Sequence, residues 1–177
     1  MRIGITGAQS VGKTTLLNAL RSEALFKDYN VCNEVTRRVQ SYGLPINEDG
    51  VDTTQRLIMN EHIYNVFMFN NMITDRTSLD GIVFSEYLFR HNKIHIDTLI
   101  HAKDVHKKVW LNYDHVFYIA PEFKIVDDGV RSVNYAFRDE IVSIFDETIK
   151  SLRLNVSVVS GSVRERVEQV ISKIKEQ

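Results

Sequence analysis

One cysteine, two prolines and no long apolar run are what this 177-residue sequence has least of. The single thiol, Cys32, excludes an intramolecular disulfide framework and any zinc site built from four cysteinates. No apolar stretch approaches the roughly 18 residues that a membrane-spanning helix needs. The apolar start, residues 1–7, is too short for a secretory signal. A soluble, cytoplasmic chain without a membrane partner is the expectation. Excess charge of either sign is missing too: 22 basic side chains meet 23 acidic ones. That balance argues against binding nucleic acid by bulk charge, although a local cluster remains at Lys103, Lys107 and Lys108. Repeats, low-complexity tracts and linkers are absent, so the length suits one domain over 1–177.

With so few prolines, and only eight glycines, each punctuation mark carries information. Arg2–Thr6 is short, apolar and β-branched and stops at Gly7, the pattern of a buried strand. Further strands are predicted at 29–33, 71–74, 115–120 and 155–159. Between them, helical periodicity covers 13–23, 34–42, 53–69, 78–90, 96–110, 133–152 and 163–175. Five short strands alternating with helices predict an α/β fold with a parallel sheet, because parallel neighbours need long crossover connections. Residues 43–53 and 121–132 are left as candidate mobile loops.

The strongest signal is Gly7-Ala8-Gln9-Ser10-Val11-Gly12-Lys13-Thr14, a full match to G-x-x-x-x-G-K-[ST] between a predicted strand and a leucine-periodic helix. Two glycines let the loop curl so that successive backbone N–H groups face phosphate oxygens, and the following helix adds its positive end. Lys13 can then reach the β- and γ-phosphates, and the Thr14 hydroxyl can ligate magnesium. The motif alone leaves GTPase, motor ATPase and kinase open. Asn92-Lys93-Ile94-His95 lacks the acid of a guanine-reading Asn-Lys-x-Asp, which disfavours the first. The strand at 71–74 leads into a single acid, Asp75, followed at once by Arg76, which is not the acidic pair a motor ATPase wants.

Asp75-Arg76 falls where a strand gives way to a helix, at the strand end where open parallel sheets bind ligands. Asp75 is placed to hold magnesium and Arg76 to reach an anionic or hydroxyl-bearing acceptor, against the plainer reading of a helix-capping Asp with an exposed Arg. Glu34, at the end of the second strand with Arg37 and Arg38 after it, could take the proton of an attacking hydroxyl or simply sit in a first helical turn. Asp128-Gly129-Val130-Arg131, with Arg138 beyond it, could bring arginines over a transferring phosphoryl group or be an ordinary solvated loop. The six histidines have no ligand-spaced carboxylate set and read as surface helix residues. Tyr64, Phe67 and Phe69 read as core, with Tyr64 or Phe67 alternatively stacking on a base. Cys32 reads as a small buried hydrophobe, and Arg164, Arg166, Lys173 and Lys175 as a solvated helix face.

Taken in order, RIGITGAQSVGKTTL, Glu34 with Arg37, ITDRTSLDGIVFSEYL and DHVFYIAPEFKIVDDGVRS resemble the P-loop kinase group that includes NadR-like nucleoside kinases and thymidylate kinases. Small phage-encoded members look especially similar, among them kinases of 5-hydroxymethyluracil in DNA. The resemblance spans roughly 2–175. It implies a five-stranded parallel sheet in the order 2-3-1-4-5, a lid at about 121–138, and ATP with magnesium as donor. By position it implies donor binding by Gly7 to Thr15, with Lys13, Glu34, Arg76 and Arg131 as catalytic residues and Thr14 and Asp75 toward the metal. Together with the reading of the residues themselves, acceptor binding is expected of Glu34, Arg37, Tyr64, Phe67, Arg76 and Arg138. Asp80 matches an acidic position of the group. A homodimer is compatible with it.

The chain departs from thymidylate kinases in having Glu-x-x-Arg after the second strand, where they carry an acid-x-arginine arrangement that grips a phosphate. A hydroxyl acceptor gains from a base such as Glu34, whereas a phosphate is already nucleophilic. The sequence therefore predicts a kinase acting on a hydroxyl of a nucleoside, a nucleotide or a hydroxymethylated pyrimidine in DNA. The alternatives are a thymidylate-like monophosphate kinase and a regulatory protein that hydrolyses ATP as a switch.

Overall fold

The sheet runs β2-β3-β1-β4-β5, all parallel, in the order the resemblance implies. The computed structural model describes residues 1–33, 35–122 and 134–176, and of Arg37 the backbone only. Its strands are β1 (Arg2–Thr6), β2 (Asn30–Cys32), β3 (Met72–Asp75), β4 (His115–Ile119) and β5 (Ser157–Val159). The helices are α1 (Lys13–Arg21), α2 (Val35–Ser41), α3 (Asp52–Met68), α4 (Ser78–Arg90), α5 (Ile96–Val109), α6 (Tyr135–Ser151) and α7 (Val163–Lys175). β1 is central, which is why Ile3 and Ile5 have no exposed surface. Strands covered on both faces read as continuous apolar runs, and β4, His-Val-Phe-Tyr-Ile, is buried throughout.

Register decides what meets at the carboxyl end of the sheet. Ile5 of β1 pairs with Asp75 of β3, Thr6 pairs with Tyr118 of β4, and Cys32 of β2 pairs with Thr74 of β3. Residues that follow these pairs in sequence emerge together at one edge, the usual ligand side of an open α/β sheet.

The 43–53 stretch contains a 3-10 turn, Asn47–Asp49, and the Thr54 hydroxyl donates to the Pro45 carbonyl at 2.8 Å. Three local expectations are corrected. His62, His106 and His115 are buried rather than on the surface. Burial, with Arg76 and His106 adding to it, pushes His62 down to about 3, and burial pushes His106 down to about 4, so both are held neutral at physiological pH. Tyr64 and Phe67 are exposed, not core. Arg166, read as solvated, is 2% exposed and packs into the seam between α7 and α1. Cys32 is buried as expected, and burial raises its thiol to about 11.

Candidate active site

The phosphate loop leaves β1 at Gly7 and enters α1 at Gly12. Gly7 has φ +141° and a side chain there would lie 2.6 Å from the Ile119 carbonyl, so only glycine lets the loop pass the end of β4. Ala8 and Val11 anchor the loop in the core. Lys13 is buried and its Nζ donates to the carbonyls of Gly7 at 2.8 Å and Ala8 at 2.6 Å. That places the ammonium across the mouth of the loop, within a side-chain rotation of any phosphate seated there. Thr15 faces outward, exposed on α1.

Unmet polar groups surround this loop. Gln9 is 2% exposed, yet among the described residues both its amide atoms lack a hydrogen-bond partner, as does the Ser10 hydroxyl. A buried polar atom without a partner costs about 1–3 kcal/mol. These atoms are free to bond a polar ligand seated in the loop.

Asp75 lies beside the loop because β3 is the neighbour of β1. The Thr14 hydroxyl donates to its Oδ2 at 2.5 Å, while Oδ1 is buried without a partner among the described residues. A hydroxyl oxygen and a carboxylate with a spare oxygen form the hard donor set that magnesium takes, with water and phosphate oxygens completing its shell. The residues present fit that ion.

Arg76 has φ +84°, the left-handed region, which is uncommon for a non-glycine residue. Its backbone is held there by its N–H donating to the Ile5 carbonyl at 2.9 Å and by the Thr74 hydroxyl donating to its own carbonyl at 2.9 Å. The kink turns the guanidinium inward, 5.0 Å over the Phe84 ring and 3.5 Å from Asp80 Oδ1. Strain of this kind, of order 1–3 kcal/mol, collects at functional sites. The capping role falls to Thr77, not Asp75: Thr77 accepts from the Leu79 N–H and Asp80 accepts from the Thr77 N–H at 2.8 Å, closing a capping box on α4. Asp80 also accepts from the Thr6 hydroxyl at 2.6 Å. Burial pushes its carboxyl up, against the opposing pull of Arg76 and Lys13. One carboxylate therefore joins the end of β1, the cap of α4 and the strained arginine.

Beyond Arg76 lies a small cavity lined by Thr36, Asn47, Gln55, Ile58, Arg76, Asp80, Gly81 and Phe84, of about 20 Å³. That is room for about one water molecule, so a nucleoside entering here must part α4 from α2 and α3. Gln55 accepts from the Ser85 hydroxyl at 3.3 Å through its amide oxygen. Tyr64 and Phe67 are not brought to this cavity. They stand six and nine residues along α3 from Ile58, about 9 and 14 Å at helical rise. Tyr64 instead lines a separate groove of about 650 Å³ beside β2, with Cys32, Arg38 and Glu61. Arg138 is buried in the first turn of α6. Glu34, the Arg37 side chain and Arg131 lie outside the described residues.

Gln55, Asn47, Phe84 and the connecting role of Asp80 were not read from the sequence. α4 is buried on nearly every side from Ser78 to Ser85, so periodicity marks no inward face there. Arg166 was missed despite a signal: it falls on the stripe of Val163, Val167, Val170 and Ile174, spaced three or four apart.

The fold is shared with solved structures, one of them of a deoxyadenosine kinase. Deoxyadenosine kinase from M. mycoides, solved with products dCMP and a flexible dCDP bound, shares 18% identity over 99% of each chain with a TM-score of 0.65. NadR, solved in complex with NR, shares 16% identity over 99% of this chain and 50% of its own, with a TM-score of 0.71. YorR from Bacillus subtilis, in complex with phosphorylated GDP, shares 14% identity over 99% of this chain and 96% of its own, with a TM-score of 0.60. These are likenesses of fold, and the fold is that of the P-loop kinases. No curated protein matches the sequence. Among the described residues no helix is long and apolar enough to cross a membrane. The family model that does match, described as an AAA domain, covers residues 2–166, and the chain belongs to that family.

Proposed function

We propose that this chain is an ATP- and magnesium-dependent kinase that phosphorylates a hydroxyl of a nucleoside-type acceptor in the cytoplasm. The observation that carries this reading is the continuous set Thr14–Asp75–Arg76–Asp80. A metal-ready acid touches the phosphate loop, and the very next residue is a strained arginine turned toward an amide-lined cavity. A switch that only hydrolyses ATP needs the first half of that set and has no use for the second.

In the reaction, Lys13 and the loop N–H groups hold the β- and γ-phosphates. The acceptor oxygen forms a bond to the γ-phosphorus as the bond to the β,γ-bridging oxygen breaks, giving a phosphate monoester and ADP. The acceptor's proton passes to a base, the role proposed for Glu34. Arg76, and Arg131 with Arg138, are proposed to offset charge on the phosphoryl oxygens. Thr14 and Asp75 would hold magnesium, which supplies electrostatic neutralisation of the bridging phosphates.

The deoxynucleotide products bound to the M. mycoides kinase and the NR bound to NadR support acceptors of the nucleoside class. A hydroxymethylated pyrimidine in DNA is a finer variant of this reading, and it requires the base to be flipped out to reach the cavity. The charge pattern gives that variant little help, since Lys103 pairs with Glu86 at 3.0 Å and Lys107 lies 3.6 Å from Asp104. Incubation with γ-labelled ATP against nucleosides, nucleoside monophosphates and hydroxymethyluracil-containing DNA tests the proposal. Label on a nucleoside hydroxyl is expected. Label on monophosphates alone would favour the thymidylate-like alternative, and label released only as free phosphate would replace the kinase reading with the switch.

A further inference from the structure

Where a cradle turns its amides toward a phosphate, a carbonyl of the same peptides that is buried away from it needs a donor of its own. Lys13 serves Gly7 and Ala8. The Val11 carbonyl is served from much farther along the chain, by Arg166 of α7, whose Nη1 donates to it at 2.8 Å. The guanidinium is buried, and its Nη2 lies 3.4 Å from Glu122 Oε2. That carboxylate oxygen also accepts from the Gly161 N–H at 3.0 Å, tying together the segments that follow β4 and β5. A side chain at Gly12 would sit 3.2 Å from Arg166 Nη1, so the second motif glycine leaves room for the arginine as well as adopting φ +91°.

We propose that Arg166 is a positioning residue for the donor phosphates, acting through the Val11–Gly12 peptide. The peptide is trans, so its C=O and N–H point in opposite directions. Fixing the Val11 oxygen on Arg166 aims the Gly12 N–H into the loop. A charged donor on the carbonyl also polarises the peptide unit and strengthens that N–H as a donor to phosphate. Glu122 holds the guanidinium in place and offsets its charge, so the loop gains a directed dipole rather than a second positive charge beside that of Lys13.

The inference rests on the loop being an ATP site, and its test needs no acceptor. ADP binding with magnesium is measured by calorimetry for the wild type, R166M, R166K and E122Q, with thermal melts as a control for folding and the Gly12 amide resonance followed by NMR. R166M is expected to bind ADP about tenfold or more weakly, R166K and E122Q about threefold, on the scale of charge-assisted hydrogen bonds. The Gly12 amide proton should move upfield in each variant, least in R166K. In the transfer reaction the KM for ATP should rise in R166M while the acceptor KM stays put. A folded R166M that binds ADP within twofold of wild type, or whose Gly12 resonance does not move, overturns the proposal. Should R166M fail to fold, an unmoved Gly12 resonance in both R166K and E122Q overturns it equally. A wild-type protein that binds neither ADP nor ATP removes the ATP-site reading together with this one, whereas wild-type binding with indifferent variants removes only the role of Arg166.

Discussion

The proposed donor side and the proposed acceptor side of this molecule are built by different means. Around the phosphate loop, the ligand-facing groups are main-chain amides set by one contiguous motif, held by glycine geometry, two buried cations and the ends of β1, β3 and β4. Around Arg76, they are side chains gathered from α2, α3, α4 and the turn at Asn47, enclosing hardly more than a water. A pre-formed cradle recognises what all donors share, a polyphosphate. A closed cavity of amides, an aromatic ring and an arginine has to open, and can be selective about what opens it.

Variants can break or sharpen that contrast. The largest effect is expected for Lys13→Met: loss of the ammonium should lower kcat/KM for ATP by on the order of 10³-fold, measured with saturating acceptor. Next comes Asp75→Asn, expected to lower kcat by about 10²-fold and to raise the magnesium concentration needed for half-maximal rate. An unchanged magnesium titration would show that Asp75 serves only as the hydrogen-bond partner of Thr14. On the acceptor side, Gln55→Leu should raise the acceptor KM by about tenfold with the ATP KM unaltered. If both constants move together, the two halves are not separable and the contrast fails.

The smallest effect concerns stability rather than catalysis. His62 and His106 titrate in the fold near 3 and 4, below the unfolded value of about 6.5. The unfolded chain therefore binds more protons below pH 6.5, and stability present above that pH is lost as pH falls through the window. The slope is at most about 1.4 kcal/mol per pH unit for each histidine. Melting temperatures from pH 7.5 to 5 should fall for the wild type and fall less for His62→Leu.

The same contrast governs what could be read from sequence. The loop was legible because its chemistry is a fixed spacing on one strand–helix junction. Asp75 and Arg76 were legible because they end a strand, and strand ends share an edge in a parallel sheet. Gln55 and Phe84 were not, since which side of α3 or α4 faces the site depends on how those helices pack against each other. Tyr64 and Phe67 were misassigned for a related reason: aromatic residues at helical spacing suggest burial, but the buried stripe of α3 runs through Ile58, Met59, His62 and Val66. Arg166 shows that a polar residue on such a stripe can be buried and engaged, and His62 that it can be buried and neutral with neither ring nitrogen bonded among the described residues.

Asp80 ties the Thr6 hydroxyl, the Thr77 amide and the Arg76 guanidinium to one carboxylate. In a lineage under selection for a new substrate, that shared anchor makes the two halves epistatic. A change at Arg76 alters the charge balance felt at the end of β1, so its effect depends on what Thr6 and Lys13 can tolerate. Under the proposed reading, drift in acceptor preference would act elsewhere, at Thr36, Gln55 and Ile58, which line the cavity away from the donor loop.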